Sequence, residues 1–235
     1  MARVGKKGLV KRSIRHMHPQ HVVKSRLTQR LMRRVANKYG LVYFGAVDQK
    51  SDDFKLVRGF TISRTQIDDF FTVGTVQDYD VSFVARNDLV LSRGRYEKRC
   101  HWFIVSVDIH CDATLPHFYV GPQAANDLFE AAYSQLRPVF LGNIAQYPPK
   151  FTSNYSVYSR PSDVIDIERI FPPTVAAVIV SHFGSMSFEL EDNTVYVYSE
   201  SKYPNEALID KMMQNAIWLA KIFDAVSGAR KALDD

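Results

Sequence analysis

No acidic residue occurs in the first 47 positions of this 235-residue chain, which hold 12 Lys and Arg. All 25 Asp and Glu come later, against 18 further cations. The formal charge of +5 therefore joins a cationic arm to a mildly acidic body. A chain divided in this way meets something anionic, in itself or in a partner. Cysteine is scarce too. Cys100 and Cys111 flank one extended run, whose ends would lie roughly 35 Å apart. A disulfide needs Cα atoms within about 7 Å. Unless the chain doubles back, both are free thiols, as suits a reducing cytoplasm. Neither sits in C-x-x-C, which weakens metal and redox readings.

Long apolar runs are missing. The longest, Trp102 to Val107 and Val175 to Val180, fall short of the roughly 18–20 residues that span a bilayer. The N-terminus lacks the apolar core of a secretory signal. Its Arg-rich, acid-free composition is that of an organelle transit peptide, but it runs directly into a domain helix. There is no G-x-G-x-x-G, P-loop, G-x-S-x-G or H-E-x-x-H. These absences lower the prior for catalysis without excluding it.

What the chain does have is a core. Hydrophobic residues make up 46% and charged residues 23%, as in soluble globular domains. The length suits one large domain or two small ones, and 15 Phe with 12 Tyr favour strands. We expect a basic arm over 1–19, frayed from the fold. Residues 20–235 then form one α+β domain with a largely antiparallel sheet, packing helices and a long C-terminal helix.

Val23, Leu27, Leu31, Val35 and Tyr39 recur every four residues, so 20–39 reads as a basic amphipathic helix capped by Gly40. Its stripe Leu27, Leu31 and Val35 is expected to pack on the sheet. Leu41 to Val47 reads as a strand and 48–55 as a polar connection. Leu56 to Ile62, Phe70 to Val76 and Tyr79 to Ala85 are extended, the last two joined at Gln77-Asp78. Arg93, Arg95, Tyr96, Lys98 and Arg99 read as a basic loop suited to phosphate contact and stacking, or as a solvated hairpin tip. His101 to Ile109, apolar on both faces, reads as a central strand. Phe118 to Val120 is a short strand.

Further along, 123–136 favours helix, 137–150 loop, and Phe151 to Tyr158 alternates like a strand. Ser162 is placed to cap a helix near 163–169, and Pro172-Pro173 to open another that Gly184 ends. Met186 to Leu190 and Thr194 to Ser199 pair across Asp192-Asn193. A final helix covers 205–233, with the stripe Leu208, Met212, Ala216, Leu219, Phe223 and Val226.

Chemistry-bearing clusters are few. His16, His18 and His21 place three imidazoles within six residues, but their cationic neighbours disfavour a divalent ion, and ordinary exposed histidines are the simpler account. Asp108, His110 and Asp112 would share one face of a strand end and could do acid–base work, or be a solvated terminus. The expectation is no catalytic, cofactor or metal residue. Candidate anion contacts are Lys6, Lys7, Lys11, Arg12, Arg15, Arg30, Arg33 and Arg34.

Four landmarks follow one another: Ala36 to Tyr43, a hairpin from Val73-Gly74 to Phe83, Leu115-Pro116-His117-Phe118-Tyr119-Val120, and Tyr155 to Ser159 leading to Ile170-Phe171-Pro172, Phe188 to Tyr198 and helix 205–226. Their order resembles a family of uncharacterised bacterial proteins that share a domain of unknown function, often placed after membrane helices. Leu41 stands where the family favours Trp, and Asp78 where a turn Gly is common. The resemblance implies no activity and transfers no catalytic residue. We therefore expect a cytoplasmic, non-enzymatic binding or scaffold domain. The alternative is an anionic-surface binder, for nucleic acid or acidic lipid, acting through the arm.

Overall fold

A computed structural model describes residues 19–48, 67–92, 96–111, 113–125, 136–201 and 204–234. Nine strands form one sheet, in the order β1-β2-β3-β4-β9-β8-β5-β7-β6. The strands are β1 (Val42–Asp48), β2 (Ile67–Val76), β3 (Tyr79–Ser92), β4 (Tyr96–Asp108), β5 (Phe118–Pro122), β6 (Arg137–Val139), β7 (Tyr155–Ser159), β8 (Ser187–Glu191) and β9 (Thr194–Glu200). Every pairing is antiparallel. The helices are α1 (Pro19–Tyr39), α2 (Pro149–Asn154), α3 (Val164–Ile170), α4 (Pro173–His182) and α5 (Glu206–Asp234). The α+β class and the long closing helix expected from the pattern are therefore present.

The two tight hairpins contain no glycine. Gln77 and Asp78 have φ of 52° and 69°, and Asp192 and Asn193 have 48° and 58°. Paired positive φ values make a turn whose twist matches the strands, and Asp and Asn tolerate that region best. Gly40, at φ +69°, ends α1. The Leu41 amide then donates to the Ala36 carbonyl at 2.8 Å, the six-to-one bond that closes a helix C-terminus. Gly74 must also be small, since a Cβ there would meet Leu41 Cδ2 at 2.9 Å.

All five described helices lie on one face of the sheet. Met32 and Val35 of α1, Phe151 of α2, Ile167 and Ile170 of α3, Ile179 of α4, and Met212, Leu219 and Phe223 of α5 share one buried cluster with Phe83, Val105, Phe118, Phe188 and Val197 from the strands. Each such side chain contributes roughly 1.5–3 kcal/mol on burial. The opposite face carries a second cluster that includes Trp102, Ile104, Tyr119, Tyr158, Tyr196 and Tyr198 and no residue of a described helix. Strand β4 alternates between the two clusters, which is why its sequence is apolar on both faces.

Several boundaries move from the sequence expectation. Helix α1 turns its stripe: Leu27 is 58% exposed, while Met32, Val35 and Ala36 are buried. A spacing of four advances about 40° beyond a full turn each time, so Leu27 and Val35 cannot share one line. The buried line runs Met32, Val35, Ala36, Tyr39. The basic loop 93–99 shortens, because Tyr96–Arg99 pair with β3 as far as Ser92. Arg137–Val139 is a strand rather than loop, at the sheet edge, where Pro138 is tolerated. Pro149–Asn154 is helix rather than strand, begun by a proline at its first position. Ser162 does not cap α3: its hydroxyl donates to the Asp163 carboxylate at 2.7 Å.

The loop between β6 and α2 is held by one carboxylate. Glu168 of α3 is 4% exposed. It accepts from the backbone amides of Gly142, Asn143 and Ile144 at 2.8, 2.9 and 2.6 Å, and from Asn143 Nδ2 at 2.8 Å. Burial alone would raise its pKa. The donors of Asn143, Ile144 and Gly142 outweigh that and hold it below the ordinary carboxylate value.

The expected run Leu56 to Ile62, the polar connection beyond residue 48, residues 126–135 of the expected helix, and the arm up to residue 18 lie outside the described residues.

Candidate functional site: a groove on the second face of the sheet

A bulge aims the first wall of the site. Between Asp69 and Thr72, β2 holds one residue more than the β3 segment it faces. Phe70 takes φ 58°, uncommon for a bulky side chain, and Thr72 Oγ1 donates to its carbonyl at 2.8 Å. Phe71 then points to the face opposite the helices, where its ring stacks on Phe44 at 5.6 Å. Phe71, Val73 and Tyr196 give apolar surface to an open groove of ≈ 420 Å³. Ser82 and Ser106 also line it, their hydroxyls 2.5 Å apart across the β3–β4 ladder.

The rim is acidic. Asp80, Asp108 and Asp192 line the groove with Thr194, and among the described residues no Lys or Arg does. Thr75 Oγ1 donates to Asp80 at 3.1 Å, and Thr194 Oγ1 to Asp108 at 2.8 Å. The volume lies within the range of small-ligand sites. Outside the groove, Val42 and Phe44 of edge strand β1 are 57% and 61% exposed.

On the neighbouring strands the same face holds a buried ionic network. Glu189 is fully buried, opposite Tyr119 on one side and Tyr196 on the other. Tyr198 Oη donates to its Oε2 at 2.6 Å, and His117 Nε2 lies 2.6 Å from its Oε1. His117 Nδ1 is 3.8 Å from Glu191. Burial lowers the His117 pKa, but the bond to Glu189 and the two carboxylate charges carry it above 6.5. His117, Glu189 and Glu191 are the metal-ligating cluster among the described residues. Each ring nitrogen faces a different carboxylate, and the three ligand atoms lie within 4.8 Å of one another, so a metal ion and the ring protons would compete for the same site. The geometry is that of an imidazolium clamped between two acids.

The sequence-predicted residues scatter. Asp108 joins the groove through Thr194, while His110 turns to α5. The His110 amide donates to Asp224 at 2.8 Å, and its ring stacks on Tyr79 at 4.5 Å with Nε2 3.1 Å from the Asp78 carbonyl. Tyr79 Oη donates to Asp224 at 2.7 Å. Burial first and that bond second push its phenol up to about 12. Asp108 and His110 thus engage different partners, and Asp112 lies outside the described residues. Cys111 is a free thiol, which excludes a bond between the chain's two cysteines.

Of the anion-contact candidates, Arg30, Arg33 and Arg34 are exposed on α1. Arg33 lies over the Tyr43 ring at 5.3 Å, and Arg34 reaches Glu206 at 3.6 Å. Beside them, Lys38 Nζ meets Asp210 at 2.7 Å, and Tyr39 Oη donates to the same carboxylate at 2.8 Å. Part of the cationic face is thus answered by α5. Exposed pairs contribute only about 0–1 kcal/mol, so the apolar line of α1 carries its docking. Lys6, Lys7, Lys11, Arg12 and Arg15, the side chains of His16, His18 and His21, and those of Arg93 to Arg99 lie outside the described residues.

Sequence reasoning missed the groove and the clamp. The groove draws on β2, β3, β4, β9 and the turn residue Asp192, and the clamp on β8, β9 and His117 just before β5. The one local signal was alternation: Asp80 and Ser82 on the polar side of β3, and Glu189 and Glu191 on that of β8.

A single antiparallel sheet with the described helices on one face defines the class. No protein-family profile matches the chain, and no curated protein matches it. Among solved structures, the chain is similar to the crystal structure of the mycobacterial trehalose monomycolate transport factor A, TtfA. The TM-score is 0.58 at 12% identity, over 84% of this chain and 93% of that one. At that identity the likeness is one of fold. No described helix is long and apolar enough to cross a membrane.

Proposed function

We propose that the chain is a non-enzymatic binding or scaffold domain whose ligand site is the groove on the face opposite the described helices. The observation that carries the reading is the groove itself: apolar surface from Phe71, Val73 and Tyr196 under a rim of three aspartates. Ser82 pairs with Ser106, and Thr194 with Asp108. Among the described residues the partner of each hydroxyl is another hydroxyl or a carboxylate, an arrangement that suits holding a ligand. The fold shared with a transport factor and the order of landmarks shared with the uncharacterised bacterial family support the same reading. The free Cys111 thiol supports a cytoplasmic setting. An alkylammonium library screened by ligand-observed NMR tests the proposal. Binding should be lost in Val73→Trp, which fills the groove, with the melting temperature little changed. A library without a groove-dependent binder would overturn it.

A second reading rests on Arg26 and Arg30, exposed on α1 without a carboxylate partner among the described ion pairs. With the arm, they would let the protein settle on nucleic acid or acidic lipid. Such binding should fall steeply with salt. Absence of any binding to either polyanion at low salt refutes it.

A further inference from the structure

We propose that His117, Glu189 and Glu191 form a zinc site on the face opposite the described helices. None of the three lines the groove, so the site stands or falls apart from the groove reading. Strand register brings them together. Glu189 and Glu191 are two apart on β8 and share a face. Phe118 pairs with Leu190 and Tyr119 with Glu189, so His117, one residue before β5, falls beside Glu191. Ser159 Oγ donates to the His117 carbonyl at 2.6 Å and holds the backbone there. One ring nitrogen and one oxygen from each carboxylate then lie within 4.8 Å of one another.

Glu189 is already held as a ligand carboxylate is held. Tyr198 Oη donates to its Oε2 at 2.6 Å, while Oε1 faces the imidazole. A donor on the distal oxygen orients a metal-binding carboxylate and is a regular part of such sites. Tyr198 and Glu189 are both fully buried, so this oxygen is the fixed point of the site. Zinc bonds imidazole nitrogen and carboxylate oxygen at about 2.0–2.2 Å in a tetrahedron, which puts ligand atoms roughly 3.4 Å apart. The 2.6 Å between His117 Nε2 and Glu189 Oε1 is the spacing of a shared proton, and it must widen by under about 1 Å to admit the ion. The His117 and Glu191 side chains can make that adjustment, being 18% and 25% exposed. Their exposed side is also the way in for the ion. Arg160 acts on His117 through its charge and opposes any cation, but it is exposed and solvent screens it.

One nitrogen with two oxygens suits zinc, whereas magnesium and calcium take oxygen ligands. Three protein ligands leave one tetrahedral position for water. The ion takes the place of the proton in the clamp and ties β8 to the segment that leads into β5.

The test titrates the full chain, stripped with EDTA, with zinc chloride. Calorimetry should show one saturable site per chain, and magnesium chloride should not fill it. Zinc at about a hundred times its Kd should raise the melting temperature by roughly 5–10 °C. The His117 imidazole signals should move in heteronuclear NMR spectra, which places the ion without any substitution. Glu191→Gln and His117→Gln should each weaken binding at least about tenfold, and Tyr198→Phe about tenfold through loss of the orienting bond. Replacing His16, His18 and His21 by Gln should leave the affinity unchanged, which separates this site from the arm's imidazoles. Absence of saturable zinc binding overturns the proposal. So does an affinity that survives both Glu191→Gln and His117→Gln, or one that falls with the arm histidines. Should a variant fail to fold, the wild-type His117 ring decides: signals unmoved by saturating zinc overturn the site.

Discussion

Replacing Glu168 by alanine should unfasten the loop between β6 and α2 without disturbing the sheet. The carboxylate is 4% exposed and accepts from three consecutive backbone amides and one side-chain amide. A bond to a charged acceptor contributes about 1.5–3 kcal/mol net. Four such bonds set an upper bound that the variant will not reach. Gly142, Asn143 and Ile144 are themselves exposed, and water can replace the lost acceptor. Taking about a third of that bound gives a loss of roughly 3 kcal/mol. Glu168→Gln keeps one acceptor oxygen and should lose about half as much. The sign of the pH effect follows from the lowered folded pKa. The ionised carboxylate stabilises the fold above about pH 4.5, and that contribution is lost as pH falls through the depressed folded value. Urea unfolding at neutral and acid pH would measure the magnitude, and hydrogen exchange at residues 142–144 the place. Suppose Glu168→Ala unfolds within about half a kcal/mol of wild type, a change typical of surface sites, and exchange at those amides is unchanged. Then the bonds contribute nothing and the reasoning is wrong.

Three further outcomes are expected. His117 titrates above 6.5 when folded, so its stabilising share is full below about pH 6.5 and is lost as pH rises through the folded value; His117→Gln should abolish that slope in urea midpoints, and an unchanged slope refutes the clamp. Gly121→Ala should cost about 1–3 kcal/mol through overpacking, because the new methyl would overlap the ring of buried Tyr119; wild-type stability would show that the ring moves freely. Thiol titration of the denatured, unreduced protein should find both Cys100 and Cys111 free, since Cys111 has no disulfide partner.

Local physics made much of the fold legible in sequence. Gln77-Asp78 and Asp192-Asn193 announced their hairpins because a two-residue turn needs backbone conformations that Asp and Asn accept. Gly40 and Gly184 marked helix ends for the related reason that both take positive φ. The double-sided apolar run of β4 announced a strand covered on both faces. Where local signals conflicted, tertiary context won. Arg137–Val139 could be a strand because β7 offered it an edge. Phe151 alternated in sequence yet went into a helix, because Pro149 began one and the buried cluster accepted its ring.

The sequence by itself determined the α+β class, the antiparallel hairpins, the closing helix and the separation of cationic arm from acidic body. These depend on neighbours a few residues apart, or on composition, which a linear reading contains. Only the tertiary structure decided which face the helices cover, which edge of α1 is buried, and that Asp80, Asp108 and Asp192 surround one groove. Those facts depend on strand order and on a one-residue bulge in β2. Strand order is set by the summed burial of the whole sheet, and no local spacing encodes a sum over distant pairs.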